Sequence, residues 1–341
     1  MAERLLEVNG LKVHFATEDG LVHAVDGVDF TLDRGDVLGI VGESGSGKSV
    51  TAMTLLGLTR APNTRFEGEV LYKGRDLLKL SEAELRQVRG GEIAMIFQDP
   101  MTSLNPVYRV GAQIVEMIQA HESIPKARAR RRAIDLLRQV GIPNPEQRVD
   151  NYPHEFSGGM RQRAMIAMAL SCNPDVLVAD EPTTALDVTI QAQILELIEQ
   201  LKDDFDSSVI MITHDLGVVA ELANDIAVMY AGRVVEHGDK RQVFYDAQMP
   251  YTWGLLGSIP RLDRPKSKRL HSIEGSPPSL IRQPPGCKFR PRCPHAFDKC
   301  TDEPALENRV EEPGHLDRCW LTVEQKRSLR GAAIAGEVTA A

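Results

Sequence analysis

The sequence predicts an α/β fold with a largely parallel sheet, followed by a small cysteine-bearing appendage. Three observations predict it. Apolar strand-like runs alternate with helical segments, the pattern in which helices cover a parallel sheet. A Gly-x-x-x-x-Gly-Lys-Ser run, from Gly42 to Ser49, directly follows one of these strands and opens a helix, which is the context a phosphate-binding loop requires. Beyond about residue 250 prolines become dense, and four of the five cysteines gather there.

The whole chain sets bounds on these elements. A length of 341 residues gives one large domain or two modest ones, with enough core to stand alone. Hydrophobic residues at 42% and charged ones at 26% are close to an ordinary soluble protein. The net charge of −8 argues against a general nucleic-acid binder, which carries a basic excess. The opening stretch MAERLLEVNGLKVHF lacks an apolar core of signal-peptide length, and no run of about 18 apolar residues occurs. A cytosolic chain is expected, with any membrane attachment made through a partner.

Residues 5 to 41 read as short strands, LKVHF, VDFTL and DVLGIVG, broken by a turn at ATEDG. Between about 100 and 170 the pattern turns helical and includes KARARRRAIDLLRQVG. Its arginine run reads as a solvated helix face, because apolar Ile134, Leu136, Leu137 and Val140 follow it. DVLVAD and SVIMITHD read as buried strands separated by the amphipathic helix TIQAQILELIEQLKDD. DIAVMYAGRVVEHGD predicts a hairpin turning at Ala231-Gly232, and GSPPSLIRQPPG predicts a linker before the cysteines. No internal repeat or low-complexity tract is present.

The loop from Gly42 to Ser49 carries Ser44, Gly45, Ser46, Gly47 and Lys48 between its ends. Glycines let successive backbone N–H groups curl around phosphate oxygens, and the following helix N-terminus adds a favourable dipole. Lys48 would reach the β- and γ-phosphates, and Ser49 would offer a hydroxyl to Mg²⁺. The plainer reading is a Gly-rich turn that merely joins strand to helix. DVLVADEP supplies a second half, with Asp180 and Glu181 at a strand end. Asp180 would orient Mg²⁺ and Glu181 would polarise the attacking water, whereas an acidic pair there could also cap a helix.

With these motifs in place, the chain resembles the nucleotide-binding subunits of ABC transporters. EFSGGMRQR, around Ser157, Gly158 and Gly159, resembles their signature motif and separates them from other P-loop ATPases. Ser157 and two glycines open a helix whose N–H groups can bind a γ-phosphate, repeating the logic of the first loop. In the family that phosphate belongs to nucleotide held by the opposite subunit, so ATP is sandwiched between two subunits. Phe156 and Met160 stand where the most frequent family form has Leu and Gln. By order and spacing, Gln98 in MIFQDP looks like the family's Q-loop glutamine, which contacts Mg²⁺ and water and relays to the membrane subunit. Asp187 in TTALD looks like the aspartate that communicates across the dimer. His214 in MITHD looks like the switch histidine, which contacts the γ-phosphate and holds the water of Glu181. Phe15 reads equally as the aromatic that stacks on adenine and as an ordinary core residue.

The resemblance spans roughly residues 4 to 260. It implies a P-loop ABC-type nucleotide-binding domain over residues 1–255, with a RecA-like core, an antiparallel β subdomain and an α-helical subdomain at about 100–170. Beyond it, GLLGSIPRLD, LHSIEGSPPSL and the cysteine segment resemble the C-terminal extension of dipeptide and oligopeptide importer ATPases, here residues 256–341. That narrower match points to peptides, and also to the related nickel importers. A soluble ABC-type ATPase acting on DNA or ribosomes is the competing reading. Such proteins usually carry long coiled-coil insertions or two fused ATPase halves, and this sequence has neither. A degenerate regulatory subunit would not need intact Lys48, Glu181 and His214.

The resemblance therefore implies ATP binding and hydrolysis that powers peptide import. Its cofactors would be ATP and Mg²⁺, the ion held through Ser49, Gln98 and Asp180. Its partners would be a second ABC ATPase subunit (a paralogue rather than a copy), two transmembrane permease subunits and an extracytoplasmic peptide-binding protein, with no nucleic acid. The chain would then lie peripherally on the cytoplasmic face of the cell membrane. The peptide is not legible, since specificity belongs to the membrane subunits and the external binding protein.

Cys287, Cys293, Cys300 and Cys319 follow the spacing C-x5-C-x6-C-x18-C. In a reducing cytosol, clustered cysteines are more often metal ligands than disulfides. A structural zinc site usually shows C-x2-C pairs, which are absent. Four thiolates suffice for a [4Fe–4S] cluster, and the resemblance to the peptide-importer segment adds weight to that reading. Zinc, and free thiols or a disulfide, remain as alternatives. The cluster is expected to be a structural staple ringed by Phe289, Phe297 and Trp320, because so short a Pro-rich tail buries little apolar surface. Cys172, after the signature helix, is expected to be an ordinary buried cysteine.

Overall fold

The structure is a computed structural model that describes residues 3–184, 186–259 and 273–335. The chain opens with β1 (Arg4–Thr17), β2 (Gly20–Asp33), β3 (Val37–Val41), α1 (Lys48–Leu55), β4 (Thr64–Tyr72) and the short β5 (Arg75–Asp76). Next come α2 (Glu82–Val88) and β6 (Ile93–Ile96), then the helical run α3 (Pro100–Ser103), α4 (Val110–His121), α5 (Lys126–Gln139), α6 (Pro145–Arg148) and α7 (Gly158–Ala169). After β7 (Val176–Asp180), α8 (Val188–Phe205), β8 (Ser208–Thr213) and α9 (Leu216–Leu222) comes the pair β9 (Asp225–Tyr230) and β10 (Arg233–Asp239). The last elements are α10 (Lys240–Tyr245), α11 (Pro250–Gly257), β11 (Glu307–Asn308), β12 (Leu316–Asp317) and α12 (Val323–Ala335). Residues 260–263 and 270–272 of the peptide-importer-like stretches lie outside the described residues.

Two compact units interleave along the chain. One comprises Met1–Leu5, Leu32–Val37 and Asp76–Ile212; the other comprises Leu6–Thr31, Leu38–Arg75 and Thr213–Ala341.

In the first unit β6, β7 and β8 are parallel, with Ile93 opposite Val176 and Asp180 opposite Ile212. Every residue of these three strands is buried, as a parallel sheet covered on both faces requires. Helices α3 to α7 fill the expected helical stretch. In α5 the buried residues are Ala129, Ala133, Leu136 and Leu137, while Ile134 is only half-buried. Its arginines face solvent and acids: Arg130 forks onto Asp150 at 2.9 and 2.7 Å, and Arg132 reaches Glu122 at 2.6 Å.

In the second unit one sheet runs in the order β2-β1-β4, with β1 and β4 antiparallel from Leu6 opposite Tyr72 to Phe15 opposite Thr64. The expected short strands LKVHF and VDFTL are parts of two strands of 14 residues each. Buried Leu11, Val13, Val25, Val28 and Phe30 alternate with polar residues on the wet face, so polarity does not end either strand. A second sheet pairs β3 with β9 in parallel and β9 with β10 antiparallel. The β9–β10 hairpin turns at Ala231 and Gly232 with φ of 49° and 82°, as the sequence predicts. Through β12, whose Asp317 lies opposite Glu236, the C-terminal segment joins this sheet.

The proline-rich stretch is docked rather than a free linker. His23 N donates to Leu280 O at 3.0 Å, and Gln283 Nε2 donates to Ala231 O at 3.3 Å. β2 is the end strand of its sheet, and a stretch short of N–H groups but rich in carbonyls can satisfy donors on such an edge. Among the described residues, no helix is long and apolar enough to cross a membrane.

Candidate functional site

The phosphate-loop residues lie in the second unit, between β3 and α1. Gly42, Gly45 and Gly47 have φ of 147°, 77° and 102°, a region open to glycine and strained for other residues. A Cβ at Gly42 would run into Met229 O, and one at Gly47 into Ala24 O. The loop is thus pressed against backbone at Gly42 and Gly47. Lys48 is 5% exposed, and its Nζ donates to Gly42 O at 2.8 Å and Glu43 O at 3.0 Å. Ser46 Oγ is buried with no hydrogen-bond partner among the described residues. Ser44 is exposed and Ser49 half-buried. These features suit a phosphate: glycines whose backbone angles a side chain would strain, an orphaned hydroxyl, and an ammonium that can exchange carbonyls for phosphate oxygens.

Two contacts on this loop were not foreseen. Glu43, the loop's acid, is held by Arg292 in a fork of 2.6 and 2.9 Å, and its N–H donates to Tyr251 Oη at 2.8 Å. Burial pushes the Tyr251 phenol up, well above its usual range, so it stays a neutral hydroxyl. In the same unit Phe15 is half-buried at the end of β1, outside the buried core. His214 is exposed at the end of β8, one residue before Asp215 caps α9 through Gly217 N at 2.8 Å.

The second group of residues lies in the first unit. Asp180 ends β7 and is 6% exposed. Glu181 follows with φ of 47°, a left-handed conformation that is uncommon outside glycine and recurs where surrounding structure over-determines a functional side chain. Three contacts hold it there. Its N–H donates to Ile212 O at 2.8 Å, while its Oε2 accepts from Thr184 Oγ1 at 2.8 Å and from Gln98 Nε2 at 3.0 Å. The structure thus brings Gln98 and Glu181 together, two residues that sequence order alone leaves 83 positions apart. Ser157 caps α7, its Oγ accepting from Met160 N at 3.3 Å, and Gly158 and Gly159 form the first turn. Asp187 is the exposed residue before α8. Gln162 was missed: it is 2% exposed and donates to Pro182 O at 2.6 Å, tying the signature helix to the turn after Glu181. A polar side chain on a helix whose neighbours are Ala164, Met165 and Ile166 was the available signal.

The cysteines converge. Cys287, Cys293, Cys300 and Cys319 line one small cavity together with Phe289, Phe297 and Trp320, the aromatic ring expected of them. All are free thiols. Burial pushes Cys293 and Cys319 up to about 12 and raises Cys287 as well, which favours the neutral thiol at these three. Cys172, in contrast, is half-buried rather than fully buried and donates to Met117 O at 3.8 Å.

Among the described residues, the metal-capable groups whose ligand atoms all lie within 4.8 Å of one another reduce to His14, His23 and Asp26. There His23 Nδ1 lies 3.2 Å from His14 Nε2, but Asp26 already accepts a fork from Arg233 at 3.1 and 2.7 Å. That fixed cation disfavours a second one.

The ABC transporter family model matches residues 25–184, and the model for the oligopeptide/dipeptide transporter C-terminal region matches residues 235–300. The chain is 54% identical to the oligopeptide transport ATP-binding protein OppD of Salmonella typhimurium, over 95% of this chain and 96% of that protein. It is 49% identical to the dipeptide transport ATP-binding protein DppD of Bacillus subtilis, over 98% and 99% respectively. Among solved structures it is similar to the dimeric, post-hydrolysis ATP-binding cassette MJ0796 bound to ADP and Pi. The TM-score there is 0.62 at 25% identity, covering 69% of this chain and 99% of that one.

Proposed function

The chain belongs to the oligopeptide and dipeptide transport ATP-binding proteins of the ABC transporter family, and from that membership we propose that it binds and hydrolyses ATP to power peptide import. The observation that carries the nucleotide reading is the loop from Gly42 to Ser49, where Cβ-intolerant glycines, an orphaned Ser46 hydroxyl and the Lys48 ammonium meet. The peptide reading rests on the C-terminal match over residues 235–300.

In this reading Gly42, Ser44, Gly45, Ser46 and Gly47 wrap the phosphates, and Lys48 neutralises the β- and γ-phosphates. Ser49, Asp180 and Gln98 would hold Mg²⁺, which would offset the charge developing on the transferred phosphoryl group. Phe15 would stack on adenine, in keeping with its half-buried ring at a strand end. Glu181 would orient the attacking water and take its proton, and His214 would contact the γ-phosphate. The Gln98 and Thr184 bonds to Glu181 support that assignment, because they aim a carboxylate that sits in a strained backbone. Ser157, Gly158 and Gly159 would face nucleotide held by a second ATPase subunit, with Asp187 signalling across that junction. Two permease subunits and an extracytoplasmic peptide-binding protein would complete a transporter in which this chain lies peripherally at the cytoplasmic face. A paralogue is the proposed second ATPase.

We further propose a [4Fe–4S] cluster on Cys287, Cys293, Cys300 and Cys319. Tetrahedral zinc with Zn–S of about 2.3 Å draws its sulfurs to about 3.8 Å apart. No three of these four sulfurs converge within 4.8 Å among the described residues. The support for a group that binds each thiolate on a separate iron is that all four cysteines line one small cavity. Such a group would serve as a staple.

The test of the ATPase reading is Glu181→Gln in the assembled transporter. ATP binding is expected to persist while steady-state hydrolysis falls by about two to four orders of magnitude, the usual loss of a positioned base. Turnover equal to wild type would remove Glu181 from the mechanism.

A further inference from the structure

We propose that Arg292 is a positioning residue for nucleotide binding, clamping Glu43 so that the loop's own carboxylate stays neutralised and turned from the phosphate cradle. The proposal rests on the reading of Gly42 to Ser49 as the phosphate site and goes beyond it, since it assigns a role to a residue of the cysteine-bearing segment.

Glu43 lies immediately after Gly42, inside the loop. An uncompensated carboxylate there would repel a polyphosphate, and the repulsion is strong at short range in a part-buried site. Arg292 meets this charge with its full donor set. Nη1 and Nη2 fork onto Glu43 at 2.6 and 2.9 Å; Nε donates to Glu274 O at 2.9 Å, Nη2 to Ile273 O at 3.2 Å and Nη1 to Tyr230 Oη at 3.5 Å. Its side chain is 4% exposed. A guanidinium so placed is far more rigid than a surface cation, and its planar fork fixes the carboxylate's direction as well as its charge.

The placement of Arg292 comes from the cysteine turn. Arg290 N donates to Cys287 O at 3.0 Å, Arg292 N to Phe289 O at 2.9 Å and Cys293 N to Arg290 O at 3.3 Å. Phe289 packs edge-on against Tyr230 and Tyr251 at 5.3 and 5.4 Å between centroids. Tyr251 in turn holds the N–H of Glu43. One short turn therefore fixes both the backbone and the side chain of the loop's acidic residue.

The test is equilibrium binding of ATP to the full-length chain, read by competition against a fluorescent ATP analogue, on four proteins: wild type, Arg292→Gln, Glu43→Gln and the double variant. Arg292→Gln is expected to weaken ATP about five- to twentyfold, within the range of charge-assisted bonds and of site-to-site coupling. Glu43→Gln is expected to bind at least as tightly as wild type, and the double variant to lie within about twofold of Glu43→Gln. A merely structural role would lower the melting temperature without that rescue. Unchanged affinity in Arg292→Gln, or an equal loss in both backgrounds, overturns the proposal. If Arg292→Gln does not fold, Arg292→Lys keeps the charge without the fork; a smaller loss that vanishes beside Glu43→Gln supports the clamp, and no loss overturns it. Failure of wild type itself to bind ATP would overturn the phosphate-site reading and the clamp with it. Binding by wild type with no Arg292 effect overturns the clamp alone.

Discussion

At Lys48 and Glu181, charge and backbone strain converge on one-residue decisions. Lys48 is a buried ammonium satisfied by two carbonyls of its own loop, an arrangement that a phosphate can replace at little reorganisation. Lys48→Ala is expected to weaken ATP by about ten- to a hundredfold, the worth of hydrogen bonds to a charged group, as measured by titration of the isolated chain. Unaltered affinity would place the phosphates elsewhere. This contrasts with Glu181→Gln, where binding stays and turnover goes. Both residues were legible in the sequence because their signals are local: a glycine spacing that only a tight loop needs, and acids at the end of an all-apolar strand. Arg292 was not legible. Its partner Glu43 lies 249 positions away, and nothing about an arginine between two cysteines reveals which acid it will find. Gln162 and Tyr251 escaped for the same reason, since their partners Pro182 and Glu43 become neighbours only through the fold.

At the scale of elements, the strands and helices that carry the site follow from apolar periodicity, and the C-terminal segment follows from something else. Its buried apolar residues include Phe289, Cys300 and Leu321, whereas it also buries charge. Lys326 meets Asp317 at 2.8 Å and His315 meets Glu236 at 2.9 Å, each with side chains 0% exposed. A buried ion pair such as Lys326–Asp317 roughly balances its desolvation and fixes register more than it adds stability. In the proposed reading, the four cysteines around one cavity hold the cluster that serves as a further staple. Anaerobic purification with iron and sulfide analysis is expected to return about four of each per chain for a [4Fe–4S] cluster. Zinc without iron would contradict the cluster, and a metal-free chain would leave only the thiol readings. The sequence disclosed the cysteines and the aromatic residues beside them, because both crowd into one short segment. It did not disclose that the proline-rich stretch pairs with β2, since single backbone contacts leave no periodic trace.

For the whole molecule, the two compact units are built from interleaved pieces of chain, and each carries some of the candidate residues. Lys48 and His214 belong to one, while Gln98, Ser157 and Glu181 belong to the other. The ordered motifs made the family legible, because each is a short solution to phosphate chemistry, whereas the interleaving reflects long-range pairing that no local pattern encodes. In the family reading, Ser157 and Lys48 serve different nucleotides, so one chain holds two half-sites and needs a facing subunit to turn over. The direct measurement is steady-state ATP turnover per chain, compared between the isolated chain over a dilution series and the chain assembled with its membrane subunits. The expected result is a low rate for the isolated chain that falls further on dilution, and a marked gain on assembly. Full, concentration-independent turnover from a verified monomer would contradict it.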